Sequence, residues 1–147
     1  DVIGRMWAAS ELVKHKTNPD IVTALIETAQ KDTFWSVRQS AVKALGEIKN
    51  TELIPVFKEA YKDENSKVRA ETIRALVNHK RRDLTSFFKK AFLQDDSYLV
   101  QAETLAALGK CGDPSAIPFL EKAKNTDSPR NILKRAAERA LETINSK

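Results

Sequence analysis

Few side chains of this chain could carry out chemistry, and they are scattered along the sequence. His15 and His79 are its two histidines, and Cys111 is its one cysteine. A metal ion or an activated nucleophile requires several partners at defined spacing, and the sequence contains no HExxH, Cx2C, P-loop or GxGxxG pattern. We therefore interpret His79 and Cys111 as structural residues, and we expect no catalytic residue, no metal ligand and no cofactor in this chain.

A locally basic stretch offers a different chemistry, the binding of a phosphate group. Closely spaced Lys and Arg are the minimum that such a patch needs. The stretch holds Lys80, Arg81, Arg82, Lys89 and Lys90. Asp83 and Glu71 partly offset its charge. A solvated turn followed by an outer helix face explains the stretch as well, so nucleic acid is the less favoured partner.

The composition bounds the class of protein. Of 147 residues, 41% are hydrophobic and 31% are charged, and the net charge is +5. That is too apolar for a disordered chain, and no run approaches the roughly 20 apolar residues that span a bilayer. The opening DVIGRMWAAS has neither an initiator Met nor a signal-peptide pattern. We interpret 1–147 as one folded domain, a fragment of a longer protein, with no membrane partner and no readable localisation signal.

The elements that must position these residues repeat along the chain. A leucine recurs in steps of 33, 31, 32 and 33 residues, at Leu12, Leu45, Leu76, Leu108 and Leu141. Seven residues before each leucine stands a basic or amide residue, namely Arg5, Arg38, Arg69, Gln101 and Lys134. Four of these follow an aspartate, at Asp32, Asp63, Asp95 and Asp127. A fixed period over the whole chain is the signature of a solenoid, in which each unit packs on its neighbours.

Each repeat contains two helices. Apolar residues follow a 3.6-residue period over 51–62 and again over 67–77, with a short polar turn between them. The sequence therefore predicts an all-α, right-handed α-solenoid of about four and a half repeats. Its parts are an unpaired second helix at 1–17 and hairpins at 18–49, 50–80, 81–112 and 113–147. Pro55 and Pro118 fall inside predicted first helices, where proline should bend the helix.

A set of residues recurs in the same order in each hairpin. In the second hairpin these are Pro55, Asp63, Val68-Arg69 and Ala75-Leu76. The pattern resembles the HEAT-repeat family in its short form, also called PBS-lyase HEAT-like. The resemblance covers the whole chain and implies the fold, whereas such solenoids serve unrelated functions. The HEAT-like repeats of iron-dependent hydroxylases carry His-Glu pairs, and no such pair occurs here.

The HEAT resemblance also implies a structural ladder of Asp and Arg side chains. In that family this Asp/Arg spacing pairs stacked units, and a guanidinium suits a bidentate contact with a carboxylate. We expect the ladder residues to be structural and not to bind substrate. They are Asp32, Arg38, Asp63, Arg69, Asp95 and Gln101.

The first third of the chain resembles a more specific setting. An Arg-x-x-Ala-Ala segment at 5–9 precedes a Phe-Trp-x-Val-Arg segment at 34–38. This layout is similar to the C-terminal helical-repeat region of bacterial M1-family zinc aminopeptidases, and to the related region of a large TATA-binding-protein-associated transcription factor subunit. The family's zinc-binding HExxH, distant Glu and GxMEN motif lie upstream of that region and are absent here. The resemblance implies a non-catalytic segment that packs on a zinc-containing catalytic domain and limits access to its cleft.

Large apolar residues outside the repeat phase indicate contact with a partner. Trp7 corresponds to Ser40, Glu71, Glu103 and Ala136 in the other units, and Met6 is out of phase in the same way. We expect Trp7 to be exposed here and covered by an upstream domain of the same polypeptide, with packing against 21–26 as the alternative. Phe34 and Trp35 lie at a predicted turn, where packing against the next hairpin is favoured over partner contact.

Two other functions stay open on the sequence. One is a free-standing scaffold or adaptor that binds a protein or peptide on its concave face. The other is a basic nucleic-acid-binding solenoid. The sequence upstream of residue 1 would separate the aminopeptidase from these two functions, because an HExxH with its distant Glu would establish the aminopeptidase.

Overall fold

The computed structural model describes residues 1–146, which form nine α-helices and no strand. The helices are α1 Val2–Leu12, α2 Pro19–Lys31, α3 Trp35–Gly46, α4 Ile54–Ala60, α5 Ser66–Val77, α6 Thr85–Gln94, α7 Tyr98–Cys111, α8 Ile117–Ala123 and α9 Ile132–Asn145. The predicted all-α fold is confirmed, and the helix pairs from α2/α3 to α8/α9 lie inside the four predicted hairpins. We call α2, α4, α6 and α8 first helices and the others second helices. None of the helices in 1–146 is long and apolar enough to cross a membrane.

Polar residues immediately before the helices determine where the helices begin. Asn18 accepts a hydrogen bond from the Asp20 N–H at 2.9 Å. Asn65 accepts one in the same way from Lys67 at 3.0 Å. Such a cap satisfies an amide in the first turn that has no partner within the helix. The same chemistry therefore defines the start of a first helix and of a second helix.

Pro55 and Pro118 do not bend the interior of a helix, so that expectation was wrong. A 3-10 turn at Thr51–Leu53 precedes α4, and Pro55 lies in the first turn of α4. Pro118 occupies the equivalent place in α8. A proline is tolerated there because its missing N–H would have no partner in the helix. The third hairpin has the same 3-10 turn without a proline, at Arg82–Leu84. The 3-10 turn before the first helix is therefore a feature of the repeat and does not require proline.

Residues Asp1–His79 form one compact unit, which we call unit 1. Its second helices pack side by side in the order α1, α3, α5, while α2 packs on α3 and α4 packs on α5. Val37 and Val68, eight residues before the recurring leucine, have no exposed surface, and neither do Leu45 and Leu76 themselves. The recurring apolar positions thus form the core between the two layers of helices.

Residues 80–146 belong to a second compact unit, unit 2, so the boundary between the two units lies between residues 79 and 80. Here α7 packs against α9, α6 packs on α7, and α8 packs on α9. Phe88 and Leu120 of the first helices are fully buried, as are Leu105 and Leu108 of α7. Gly112 ends α7 in a left-handed conformation with φ of 67°, which glycine adopts without strain.

The turn inside the last hairpin differs from the other three. Asp32, Asp63 and Asp95 each accept the N–H of the residue two positions later, at 2.8 to 2.9 Å. Two positions after Asp127 stands Pro129, which has no N–H to donate. The backbone there instead turns through left-handed residues Arg130 and Asn131. A hydrogen bond of 3.0 Å from the Leu133 N–H to the Ser128 hydroxyl takes the place of the aspartate cap.

Candidate protein-binding surfaces

Arg38 links two turns of unit 1. Its Nε donates to Asp63 Oδ2 at 2.6 Å and its Nη2 donates to Asp63 Oδ1 at 2.9 Å. Its Nη1 donates to the carbonyl of Asp32 at 2.9 Å. Both side chains are nearly buried, at 10% and 9% exposed. The guanidinium therefore joins the turn of its own hairpin to the turn of the next, a structural task that leaves no room for a ligand.

Arg5 makes the corresponding contact with the first hairpin. Its Nε donates to Asp32 Oδ2 at 2.8 Å, but 42% of the Arg5 side chain is exposed. The hydrogen bond from the Phe34 N–H lowers the pKa of Asp32 below its usual value, with Arg5 adding to this effect. The hydrogen bond to Asp63 raises the pKa of Arg38. Both shifts favour the charged forms of Asp32 and Arg38.

Arg69 and Gln101, ladder residues of the later hairpins, donate to backbone carbonyls. Arg69 Nη1 donates to the carbonyls of Asp63 and Glu64, both at 3.0 Å. Gln101 Nε2 donates to the Phe92 carbonyl at 3.1 Å, within its own hairpin. An amide lacks the fork of donors that a guanidinium presents to a carboxylate. The substitution of Gln for Arg at position 101 thus changes the partner from a carboxylate to a carbonyl.

The aromatic pair at the first hairpin turn contacts basic side chains. Lys67 Nζ lies 4.5 Å from the centroid of the half-buried Trp35 ring. Arg5 Cζ lies 5.5 Å from the centroid of Phe34, which is 49% exposed. These are cation–π distances. Trp35 therefore contacts the following hairpin, while Phe34 keeps about half of its surface exposed.

Helix α1, a second helix, exposes apolar side chains to solvent. Trp7 is 66% exposed and Ile3, one turn earlier, is 75% exposed, while Met6 is half-buried. Every other second helix has the first helix of its own hairpin packed on it, whereas within the described residues α1 has no such helix and only a small contact with α2. Gly4 is exposed at the position where the other units bury Val37, Val68, Val100 and Leu133. We call Ile3, Gly4 and Trp7 the α1 face.

A groove of about 440 Å³ runs between α7 and α9 in unit 2. Its floor is built from alanines, at positions 102, 106, 136 and 140, and Ile132 lies at one end with 37% of its surface exposed. Its rim carries Lys110, Arg135, Arg139 and one carboxylate, Glu103. Arg135 Nη2 donates to the Arg130 carbonyl at 2.5 Å, so the unusual turn of the last hairpin positions this side chain. We call this feature the α7/α9 groove.

The sequence did not predict the α7/α9 groove or the exposure of Ile3. The available signal was modest. Alanines recur with helical spacing on α7 and α9, and Arg135 and Arg139 stand where α7 has Ala102 and Ala106. The distance between two neighbouring helices determines whether small residues close a contact or open a groove, and no sequence pattern gives that distance.

The basic stretch is partly engaged in contacts within unit 2. Arg81 forms a two-point contact with Asp83, at 2.6 and 2.9 Å, and this contact raises the pKa of Arg81. Lys89 Nζ donates to the Ser115 carbonyl at 3.0 Å. Lys80, Arg82 and Lys90 are exposed. The stretch is therefore a weaker anion patch than its five cations indicate.

His79 and Cys111 belong to different compact units. Cys111 is buried in the last turn of α7, and the His79 ring lies 5.8 Å from the Phe57 ring in unit 1. Across residues 1–146, no group of three or more His, Cys, Asp or Glu side chains could hold a metal ion.

Comparison with known proteins identifies the repeat. A sequence model of HEAT repeats matches residues 1–69 and 54–142. The chain belongs to the HEAT-repeat family. HEAT repeats are generally non-catalytic, and the family alone assigns no activity.

A solved structure shows the same HEAT architecture. Human deoxyhypusine hydroxylase in complex with glycerol matches with a TM-score of 0.71 and 20% sequence identity, over 86% of this chain and 44% of that chain. The present chain thus spans less than half the length of that protein, and at this identity the likeness concerns the fold alone. A search of curated protein sequences found no match.

Proposed function

We propose that this chain is a non-catalytic HEAT-repeat scaffold that packs through the α1 face against another domain of its polypeptide. The observation that supports this is the exposure of Ile3 and Trp7 on α1, the one second helix within residues 1–146 that lacks a first helix of its own hairpin. Burying a large apolar side chain contributes roughly 1.5–3 kcal/mol. Two such residues one turn apart form a patch that a second domain would cover.

The parent that the resemblance of 1–48 implies is an M1-family zinc aminopeptidase. In that setting zinc belongs to the catalytic domain, and the repeats pack behind it and limit access to the cleft. The HEAT family and fold are consistent with this role without singling it out. We expect the isolated chain neither to retain zinc nor to cleave aminoacyl-anilides, and stoichiometric zinc or turnover would overturn the proposal.

Tryptophan fluorescence tests the docking. The chain has two tryptophans, so Trp35→Phe leaves Trp7 as the only reporter. We expect iodide to quench Trp7 strongly in the isolated chain and weakly in the polypeptide that contains it. Equal quenching in both would show that no other domain covers the α1 face.

A matched pair of substitutions separates docking from a general loss of surface hydrophobicity. We expect Ile3→Ser with Trp7→Ser to make α1 more sensitive to limited proteolysis in the longer polypeptide. Leu93→Ser is the control, because Leu93 is 72% exposed on α6 and lies outside the α1 face. Equal effects of the two variants would argue against specific docking.

A free-standing adaptor is the second candidate function. The α7/α9 groove supports it, since an apolar groove can bind a segment of a partner protein. Nucleic acid is a third candidate, for which the exposed Lys80, Arg82 and Lys90 are the only support. Binding of a partner by the chain in isolation would favour the adaptor, whereas the aminopeptidase reading requires only the α1 face.

A further inference from the structure

We propose that the α7/α9 groove binds an acidic protein segment that places one bulky apolar side chain on the alanine floor. This inference rests on the adaptor form of the proposed function and does not depend on the α1 face. The inference specifies the chemistry of the partner, which the proposed adaptor function does not specify.

The floor of the groove fits an apolar side chain. Four alanines present only methyl groups, and the exposed Ile132 closes one end. The groove volume of about 440 Å³ falls within the range of roughly 300–1,000 Å³ that is usual for binding pockets. A leucine or phenylalanine side chain would fill the floor and bury surface that alanine leaves uncovered.

The rim of the groove fits carboxylates. Arg135 and Arg139 lie one turn apart on α9, and both are exposed. In the described part of the chain, the Arg139 guanidinium has no hydrogen-bond partner, and Arg135 uses only Nη2, on the Arg130 carbonyl. A guanidinium binds a carboxylate through two parallel hydrogen bonds, so each arginine offers an unused two-point site.

The balance of charge favours an acidic occupant. Three cations line the groove, Lys110, Arg135 and Arg139, against the single carboxylate of Glu103. Complementary charge across an interface selects the partner and accelerates its association. A basic or neutral segment would leave the Arg139 guanidinium without a hydrogen-bond partner near a partly desolvated surface.

The lining favours a protein over a nucleic acid. Surfaces that bind single-stranded nucleic acid combine cations with aromatic rings on which bases stack. The α7/α9 groove has an alanine floor and no aromatic lining residue. Alanine methyl groups match an aliphatic or aromatic side chain and offer a base no platform.

Fluorescence anisotropy with the whole chain tests the proposal with defined probes. A labelled peptide of about 12 residues spans the roughly 17 Å of α9 that lines the groove. The first probe alternates glutamates with two central leucines. The second replaces its glutamates by lysines, the third replaces its leucines by serines, and the fourth is an oligothymidylate of the same length. We expect the first probe to bind about tenfold more tightly than each of the others, since each lacks one part of the match.

Charge-reversal variants locate the binding. We expect Arg135→Glu with Arg139→Glu to weaken the first probe about tenfold. Lys90→Glu with Lys134→Glu is the matched control, because it makes the same change in net charge at exposed sites of unit 2 outside the groove. Circular dichroism of each variant establishes that the helices are retained, and Ala106→Trp, which fills the floor, should weaken the same probe in a folded chain.

The possible results separate the inference from the function it rests on. Equal binding of the acidic and basic peptides would overturn the acidic partner and keep the adaptor. Failure of every peptide to bind would overturn both. Tighter binding of the oligothymidylate would favour a nucleic acid as the partner. Equal loss of the first probe in the control variant would show that cations outside the groove bind it and would overturn the assignment to the groove.

Discussion

Arg38 connects the turns of two consecutive hairpins through one side chain. Its guanidinium satisfies a carboxylate of the next hairpin and a carbonyl of its own, so all the contacts hold turns and none is left for a substrate. A nearly buried ion pair contributes modest net stability, but removing one partner leaves the other charge without compensation. Arg5 repeats the contact with Asp32 at a more exposed place, where water screens the interaction.

This difference in exposure predicts different costs of substitution. We expect Arg38→Met to lower the free energy of unfolding by about 3–5 kcal/mol, because Asp63 stays nearly buried without its partner. Arg5→Met should cost about 1 kcal/mol or less. Urea denaturation followed by circular dichroism measures both. Similar losses for the two variants would contradict a ladder in which burial sets the strength of each contact.

The Arg38–Asp63 pair also predicts a specific rescue. We expect Arg38→Met combined with Asp63→Asn to recover much of the stability that Arg38→Met loses, because no charge then remains buried without a partner, while the amide oxygen introduced at position 63 can still accept the Asn65 N–H. A double-mutant cycle in urea measures the coupling. If the two losses add, the cost of Arg38→Met does not come from the stranded carboxylate.

Asp32 predicts a dependence of stability on pH. The Phe34 N–H and Arg5 depress its pKa in the folded chain below the 3.8 of the free side chain. A depressed pKa stabilises the folded state above the unfolded value, and this contribution is lost as pH falls through the folded value. We therefore expect the stability difference between the native chain and Asp32→Asn to be constant above about pH 5 and to shrink below about pH 3.8. Thermal unfolding across that range measures it, and a difference that does not change with pH would contradict the assignment.

Close contacts between second helices govern the structure at the scale of elements. A Cβ placed on Gly109 would lie 2.7 Å from the Ala140 Cα, and one placed on Gly46 would lie 2.8 Å from the Ala75 Cβ. Both glycines follow the recurring leucine directly. The absence of a side chain there lets α9 approach α7, and α5 approach α3, more closely than any other residue type would allow.

Matched glycine substitutions test this close approach. Gly109→Ala should destabilise the chain by about 1–3 kcal/mol, because the new methyl group meets backbone atoms that cannot rotate away. Gly4→Ala is the control, since its Cβ would meet only the Asp1 carboxylate at 3.3 Å. Alanine within a helix is favoured over glycine by roughly 0.5–1 kcal/mol, so Gly4→Ala should stabilise. The same sign for both variants in chemical denaturation would show that helix propensity outweighs packing at Gly109.

At the scale of the whole molecule, the sequence predicted the features that recur in every repeat. The helical repeat followed from the recurring Leu. Arg38 and Asp63, which the HEAT resemblance assigned to a structural ladder, contact each other. Features that depend on departures from the period were not predicted. Pro55 and Pro118 look like interior residues until the preceding 3-10 turn is known. The α7/α9 groove depends on the distance between two helices, and the sequence shows only that the residues between them are small.

The repeat also predicts how a local change spreads through the chain. In a repeat array, stability is approximately a sum of terms for each repeat and for its contacts with its neighbours. We expect Arg38→Met to reduce hydrogen-exchange protection most in α3 to α5 and least in α9. Leu120→Ala should do the reverse, because it removes a fully buried side chain of unit 2 at a cost of about 2–5 kcal/mol. Hydrogen exchange read by mass spectrometry resolves the two patterns, and equal loss of protection in every helix for both variants would show that the chain unfolds as a single cooperative block.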